Sequence, residues 1–372
     1  MSTHFFANPR RQPLTITGGD GCYVSDESGA RYLDLVSGLG VNALGHNHPR
    51  ITKVIAEQAA QSIHTCALYA HPYTEPLARE LCRISGLDRA LFTNSGTEAT
   101  EAALKLVRCY ARPRTRVIAI AGGFHGRSRG GLSVTGQAAL QEPFAPYSLP
   151  VTFVPANDDV ALRAAFGPDV SAFIFEPILG EGGVVPLTDS YLQLARELCT
   201  QHDALMVADE CQTGLGRTGK HFAFQWAGIQ PDIVTTAKPL AGGLPLGAVM
   251  FSNAVSDRFP PSGHGSTFAG GPLACRVALE FLQEMETLLP HITGVSEALR
   301  AALSPLGEVR GRGLMLALPL DRPGDPIVTA AREAGLLINC TQSTVLRFLP
   351  PYILTRQHVT EAACILERVI QG

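Results

Sequence analysis

The chain has 372 residues, 45% of them hydrophobic, which is enough for one large or two medium globular domains with a sizeable core. Its formal charge of −3 gives no basic footprint for nucleic acid or for an anionic membrane surface. No apolar run reaches membrane-spanning length, and residues 1–11 lack the apolar core of a signal peptide.

Nine cysteines are scattered along the chain, and no two of them have Cys-x-x-Cys spacing. This spacing predicts neither a zinc site nor a disulfide framework. We therefore expect no bound metal and a reducing, cytoplasmic location, in which most of these thiols are small buried apolar groups.

In chain order, short β-rich runs at 14–16, 21–24 and 32–34 precede an amphipathic helix at about 50–62. Between residues 90 and 251, apolar runs alternate with helical stretches, which predicts an α/β layer with a mostly parallel sheet. Several runs are apolar throughout, as expected for strands that are covered on both faces. The predicted strands are 90–93, 117–121, 151–154, 172–175, 205–208, 233–236 and 248–251, and the helices are 97–111, 161–165 and 190–202.

The last hundred residues have a different pattern, which predicts a smaller α+β domain. It comprises a long helix at 271–288, a segment at 295–303, a hairpin-like stretch at 309–318, a helix at 326–334, strands at 336–339 and 345–348, and a final helix at 355–370. The N-terminal segment could pack with either part. The division we predict is 1–45, packing with the small domain; 46–270, the large domain; and 271–372, the small domain.

Two side chains at the ends of predicted strands are candidate catalytic residues. Lys238 follows the apolar run 232–237, and Asp209 ends the run 204–208 one βαβ unit upstream. An amine and a carboxylate so placed are the minimal frame for pyridoxal phosphate, because the amine holds the aldehyde as a Schiff base and the carboxylate keeps the pyridine nitrogen protonated. The three other lysines, Lys53, Lys105 and Lys220, are predicted to be solvated.

Two loops after predicted strands could contact such a cofactor. Ser95, Gly96 and Thr97 open a helix and offer an anion site, although an ordinary helix cap is the alternative. In the loop 123–127, Phe124 could stack on a flat ring or belong to the core, and His125 could orient the cofactor or satisfy a carbonyl. Arg127 is a candidate carboxylate clamp in the same loop.

Two charged residues stand in unusual settings. Glu181 lies between glycines in the loop that follows residue 175, where it is either a gate, a ligand or a solvated acid. Arg347 interrupts an apolar strand, and a buried guanidinium needs an anion, which is either a structural acid or a substrate carboxylate. Residues 264–271 offer hydroxyls with room for a phosphate oxygen. Gly214-x-x-x-x-Gly219-Lys220 imitates a phosphate-binding loop, but His221 follows it where serine or threonine is required.

Nine segments together resemble the class III (subgroup II) aminotransferases of fold-type I, and within them the acetylornithine aminotransferase branch. They are VNALGHNHP at 41–49, TNSGTEATEAALK at 93–105, FHGRS at 124–128, LSVTGQ at 132–137, EPILGEGG at 176–183, ADECQTG at 208–214, AK at 237–238, GSTF at 265–268 and RFLPP at 347–351. The chain departs from the usual family pattern at Pro239, where glycine is common. The resemblance implies a large domain with a mostly parallel seven-stranded sheet and a smaller α+β domain.

The resemblance also implies roles for single residues. Lys238 links to the cofactor and carries a proton, Asp209 pairs with the pyridinium nitrogen and Gln212 contacts the phenolic oxygen. Ser95, Gly96 and Thr97 hold the phosphate, while Phe124 stacks on the ring with His125 beside it. Thr267 reaches the phosphate in a neighbouring subunit, which implies a homodimer. Substrate contacts are Asn42, Arg127, Glu181 and Arg347.

The implied reaction moves the terminal amino group of N-acetylornithine to 2-oxoglutarate and yields a semialdehyde and glutamate. Arg347 would bind the α-carboxylate of glutamate, Glu181 would mask Arg347 for the other substrate, and Arg127 would hold that substrate's distant carboxylate. The alternatives are a sibling enzyme for ornithine, succinylornithine, 4-aminobutyrate or diaminobutyrate, an aminomutase, a silent cofactor-binding regulator, and a nucleotide-binding kinase.

Overall fold

The computed structural model describes residue 4 and residues 12–371, so parts of the predicted first and last segments lie outside the described residues. The first elements form an antiparallel meander of β1 (Ile16–Asp20), β2 (Tyr23–Asp26) and β3 (Arg31–Asp34). Asp20 pairs with Tyr23, so residues 21 and 22 form a two-residue turn. The predicted strands at 14–16 and 21–24 were therefore placed too early, because that turn lies inside the second of them.

A short left-handed turn, α1 (Ser37–Gly40), and two helices, α2 (Pro49–Ala59) and α3 (Thr74–Ser85), follow the meander. The predicted amphipathic helix at 50–62 is α2, which buries Ile51, Val54 and Gln58 and leaves Lys53 exposed. Gly86 ends α3 in the left-handed conformation, which glycine adopts without steric cost.

The centre of the molecule is a seven-stranded sheet whose strands run in the order β4-β12-β11-β10-β7-β5-β6. Only β12 runs against its neighbours, so the predicted mostly parallel sheet is confirmed. The strands of this region are β4 (Arg89–Thr93), β5 (Arg116–Ile120), β6 (Val151–Val154), β7 (Val170–Phe175), β8 (Ile178–Leu179), β9 (Val185–Pro186), β10 (Leu205–Asp209), β11 (Ile233–Thr236) and β12 (Gly247–Phe251). Of these, β8 and β9 form a separate hairpin.

Helices cover both faces of this sheet: α4 (Gly96–Tyr110), α5 (Arg129–Val134), α6 (Ala138–Gln141), α7 (Asp159–Ala165), α8 (Asp189–Gln201) and α9 (Asn253–Ser256). Strand β7 is buried along its whole length. Its Phe173 and Phe175 belong to one apolar cluster, while Ala172 and Ile174 belong to a second cluster with α4. Alternate side chains thus enter different cores, which explains the uninterrupted apolar runs in the sequence.

The C-terminal part has a four-stranded antiparallel sheet in the order β13-β14-β17-β16. Its elements are α10 (Pro272–Leu303), β13 (Arg310–Arg312), β14 (Met315–Pro319), α11 (Asp325–Glu333), β15 (Leu336–Leu337), β16 (Asn339–Thr341), β17 (Val345–Phe348) and α12 (Arg356–Gln371). Strand β15 leaves this sheet and pairs with β3. That pairing supports the grouping of the N-terminal segment with the C-terminal part, and the domain limits themselves stay a prediction.

Candidate active site

A cavity of about 490 Å³ opens beside the carboxyl ends of the neighbouring strands β7, β10 and β11. Residues that follow parallel strands meet at one edge of the sheet, which is where α/β proteins bind ligands. Most of the predicted site residues line this cavity: Ser95, Gly96, Thr97, Phe124, His125, Arg127, Glu181, Asp209, Gln212 and Lys238. Asn42, Thr267 and Arg347 do not line it.

Lys238 begins a short 3-10 turn, Lys238–Ala241, directly after β11. It is half-buried, and its Nζ donates to no described residue, so the amine is free to react at the cavity wall. Pro239 stands in the first turn of this 3-10 segment, where a backbone N–H has no partner to lose. The departure from glycine at this position therefore leaves the lysine in place.

Asp209 is the last residue of β10 and is 4% exposed. Its Oδ2 lies 2.8 Å from Nδ1 of His125, and its Oδ1 accepts hydrogen bonds from Cys211 N and Thr235 Oγ1. Burial raises the pKa of Asp209, but the hydrogen bonds from His125 and Cys211 outweigh burial and the net pKa lies below the ordinary value. The site therefore holds a buried anion.

His125 is the partner of that anion and has no exposed side-chain surface. Burial lowers its pKa, but the hydrogen bond and the charge of Asp209 raise the pKa by more, so the imidazole is favoured in its protonated form. The other ring nitrogen, Nε2, is buried without a hydrogen-bond partner in the described structure. The pair fixes the carboxylate of Asp209 at the base of the cavity.

A second strand end carries Glu176, directly after β7 and 5% exposed. Its carboxylate accepts hydrogen bonds from Phe124 N at 2.9 Å and from Gly180 N at 3.2 Å. Burial raises the pKa of Glu176 to about 7. This residue joins the loop that carries Phe124 to the loop that carries Glu181.

The N-terminus of α4 forms one end of the cavity. Gly96 and Thr97 are its first residues, and amides in those positions have no acceptor within the helix. Ser95 caps the helix, because its side-chain oxygen accepts a hydrogen bond from Glu98 N. Thr97 Oγ1 lies 2.8 Å from Ser128 Oγ. A Cβ at Gly96 would lie 2.9 Å from Cys211 Sγ, so only glycine fits against that side chain. Gly96 itself lines the cavity, where a helix N-terminus can receive an anion.

Arg347 lies on β17 behind the cavity wall and is 1% exposed. Its Nη1 donates to Glu181 Oε1 at 2.7 Å, to Gly180 O at 3.0 Å and to Gln212 Oε1 at 3.3 Å. Glu181 lines the cavity and Arg347 does not, so the carboxylate covers the guanidinium. The structure thus brings together two residues that are 166 positions apart.

The remaining predicted residues lie at the margin. Arg127 is exposed at the cavity and has no hydrogen bond or ion pair with a described residue. Asn42 stands beside the cavity-lining Gly243, where Asn42 Oδ1 would lie 3.6 Å from a Cβ. Thr267 is exposed and contributes nothing to the cavity of its own chain.

Residues 5–370 match the model of the family Aminotransferase class-III. The chain belongs to this family. It is 40% identical to the acetylornithine aminotransferase of Aquifex aeolicus (strain VF5), with 99% of this chain and 100% of that protein covered. The solved N-acetylornithine aminotransferase from Stenotrophomonas maltophilia K279a has a TM-score of 0.85 at 34% identity over 97% of this chain and 96% of that one.

A solved amine transaminase from an uncultivated Pseudomonas species, in its pyridoxal-phosphate-bound form, has a TM-score of 0.93 at 29% identity and covers 100% of this chain and 99% of that one. This class III aminotransferase is a pyridoxal-phosphate-dependent enzyme. Its cavity fits the cofactor in three respects: the unpartnered amine of Lys238, the buried anion of Asp209, and the open helix terminus at Gly96.

Sequence reasoning left several lining residues of this aminotransferase out of the predicted site. Glu176 had the clearest signal, because it follows the apolar run 172–175, as Asp209 follows the apolar run 204–208. Cys211 also lines the cavity, and burial raises the pKa of its thiol well above the ordinary value, so the sulfur is neutral. Val41, the first residue of the segment 41–49, and residues 244–246 add an apolar wall to the cavity.

The phosphate-loop imitation at residues 214–220 has a structural role. Lys220 Nζ donates to Gln225 O and lies over the Trp226 ring, away from the cavity. Among the described residues, no cluster of histidine, cysteine or acidic side chains could hold a metal ion, and no helix is long and apolar enough to cross a membrane.

Proposed function

We propose that this enzyme moves the terminal amino group of N-acetylornithine to 2-oxoglutarate, giving a semialdehyde and glutamate. The observation that carries the proposal is the unequal state of two arginines. Arg347 is covered by Glu181, whereas Arg127 at the cavity is free. A donor with one carboxylate far from its reacting amine needs the free arginine only, and a dicarboxylate acceptor needs both.

Different residues of the cavity bind the cofactor, hold its charge and move the proton. Bound pyridoxal phosphate supplies an electron sink for the bond that breaks at the amine-bearing carbon. Lys238 holds the cofactor and moves the proton between substrate carbon and cofactor, and Asp209 keeps the pyridine nitrogen protonated. The helix terminus at Gly96 and Thr97 receives the phosphate, and Phe124 bounds the ring face.

Glu181 decides which substrate the cavity accepts. While its carboxylate covers Arg347, the guanidinium offers no charge to a terminal amine donor. When 2-oxoglutarate enters, its carboxylate replaces that of Glu181. Nη2 of Arg347 donates to no described residue, and Nε donates to Asn339 Oδ1 at 3.3 Å. Once Glu181 has left Nη1, the edge formed by Nη1 and Nη2 can make a bidentate pair.

A panel of amino donors with 2-oxoglutarate as the acceptor tests the substrate. We expect kcat/KM for N-acetylornithine to exceed that for ornithine, succinylornithine, 4-aminobutyrate and diaminobutyrate by about tenfold or more. The physical reason is that each rival changes the charge or the size of the end that must lie near Arg127 and the apolar wall. If one rival is used tenfold better, the acyl-donor assignment is wrong and a sibling activity replaces it.

Replacing Glu181 with alanine tests whether its ion pair with Arg347 controls substrate choice. We expect KM for glutamate to fall by about tenfold, because its carboxylate no longer has to displace that of Glu181 from Arg347. We also expect kcat/KM for the terminal-amine donor to fall, because Arg347 stays uncovered while that donor binds. Asp189→Asn is the matched control, since Asp189 also pairs with an arginine, Arg312, at 3.5 Å in a partly exposed position outside the cavity lining. Unchanged donor preference in Glu181→Ala would count against the cover.

We further propose a cytoplasmic homodimer with shared sites. Thr267 is exposed beside Phe268, whose side chain is 70% exposed, and Leu68 and Tyr69 are exposed at 86% and 72%. Apolar side chains of this size suit an interface with a second copy, in which Thr267 reaches the partner's phosphate. Sedimentation of the holoenzyme as a 39.6 kDa monomer would exclude this arrangement.

A further inference from the structure

The side chain of Gln212 lies between Arg347 and the cavity. Gln212 lines the cavity and is 8% exposed, while Arg347 behind it is 1% exposed. The amide oxygen Oε1 lies 3.3 Å from Arg347 Nη1. A residue assigned to the cofactor and a residue assigned to the substrate are therefore in direct contact.

This contact determines which way the amide of Gln212 points. A guanidinium carries only donors, so the atom that faces Arg347 must be the amide oxygen. The amide nitrogen Nε2 makes no hydrogen bond to a described residue, and it is not one of the buried unpartnered atoms of that part of the chain. Nε2 is thus open to the cavity. Gly180 makes room for the arrangement, because a Cβ there would lie 2.2 Å from Oε1.

Three oxygens compete for the two hydrogens of Nη1. Glu181 Oε1 is nearest at 2.7 Å, Gly180 O follows at 3.0 Å, and Gln212 Oε1 is the most distant at 3.3 Å. When Glu181 withdraws, a hydrogen becomes free and the positive charge is no longer balanced. The bond to Gln212 then becomes stronger, and a more polarised amide is a stronger donor at its other end.

We propose that Arg347 is a positioning residue for Gln212, and that through this amide the cofactor responds to whether Glu181 covers Arg347. The inference rests on the proposed function, since it takes the phenolic oxygen of bound pyridoxal phosphate as the acceptor of Gln212 Nε2. A stronger donor favours the ionised phenolic oxygen. The substrate switch therefore also tunes the electronic state of the cofactor before any substrate is bonded to it.

The test is a pH titration of the visible absorbance of the substrate-free holoenzyme, which reports the ionisation of the lysine-bound cofactor. We expect Arg347→Gln to raise the midpoint pH by about 0.5–1 unit and Glu181→Gln to lower it by a similar amount. In a Gln212→Leu background, both shifts should fall to less than half. Lys220→Gln, which removes a cation remote from the cavity, is the control and should leave the midpoint unchanged.

The variants made in the Gln212→Leu background distinguish an effect that passes through the amide of Gln212 from a direct electrostatic effect of the two charges on the cofactor. Equal shifts with and without Gln212 would overturn the proposal, because the charges would then act through space, and so would the absence of any shift. If Arg347→Gln does not fold, the comparison of Glu181→Gln in the two backgrounds decides by itself. A holoenzyme that transaminates but shows no shift contradicts this inference alone, whereas a purified protein without cofactor absorbance contradicts the proposed function.

Discussion

Replacing Lys238 with alanine is expected to lower turnover by more than about 10⁴-fold and to remove the absorbance of a lysine-bound cofactor. The reason is that no other amine can take its place. The chain has four lysines, of which Lys53 and Lys105 are exposed on helices and Lys220 is bonded to Gln225 O. Steady-state rates and an absorbance spectrum of the purified variant measure the two effects.

Lys53→Ala is the matched control for that variant, since 75% of the Lys53 side chain is exposed. It should keep wild-type turnover and wild-type absorbance. Retention of either property by Lys238→Ala would show that the cofactor is held by another group, and the assignment of Lys238 would have to be given up.

Replacing Asp209 with asparagine is expected to lower kcat by about 10²- to 10⁴-fold while Lys238 still binds the cofactor. Asparagine keeps the size of the side chain but removes the buried anion that His125 holds and that keeps the pyridine nitrogen protonated. A pyridine nitrogen that is no longer protonated is a weaker electron sink, both when the donor gives up its amino group and when 2-oxoglutarate receives it. Single-turnover rates with the amino donor and with glutamate measure the loss.

Asp232→Asn separates loss of charge at the site from loss of stability. Asp232 directly precedes β11, so it lies at the amino ends of the strands, away from the cavity at their carboxyl ends. Its carboxylate accepts hydrogen bonds from Arg196 Nη1 and from Met206 N. Its variant should lose stability with kcat near the wild-type value. If Asp209→Asn lowers the unfolding temperature but not kcat, Asp209 is a structural anion only.

The strands that carry the site could be predicted because their signal is local. β7, β10 and β11 are buried at every position, and their apolar side chains enter one of two cores. The charged residue that follows each apolar run therefore stands out in the sequence. Asp209, Lys238 and the carboxylate of Glu176 are therefore visible in the sequence as strand ends. Their closeness follows from the parallel order of the strands.

The long helix α10 shows where local signals fail. The predicted helix at 271–288 and the predicted segment at 295–303 are one continuous helix from Pro272 to Leu303, which runs through Pro290. Pro290 faces solvent, where a helix tolerates the lost hydrogen bond, while Ile292 and Leu299 keep the buried face intact. Tertiary packing outweighs the local preference here.

The contacts of Arg347 could not be read from the sequence. A buried arginine predicts an anion, but the choice of Glu181, and the shared contact with Gln212, depends on how the C-terminal sheet docks against the large sheet. The loop from Glu181 is also held by Thr341 Oγ1, which donates to its carbonyl at 2.8 Å. Such pairings between distant parts of the chain leave no periodic or compositional trace.

The central claim is that Lys238 is the covalent attachment point of pyridoxal phosphate. Borohydride reduction of the holoenzyme, followed by proteolysis and mass mapping of the pyridoxyl label, tests it most directly. We expect a single labelled peptide with the added mass on Lys238. A label on Lys53, Lys105 or Lys220, or a reduced holoenzyme without any labelled peptide, would contradict it.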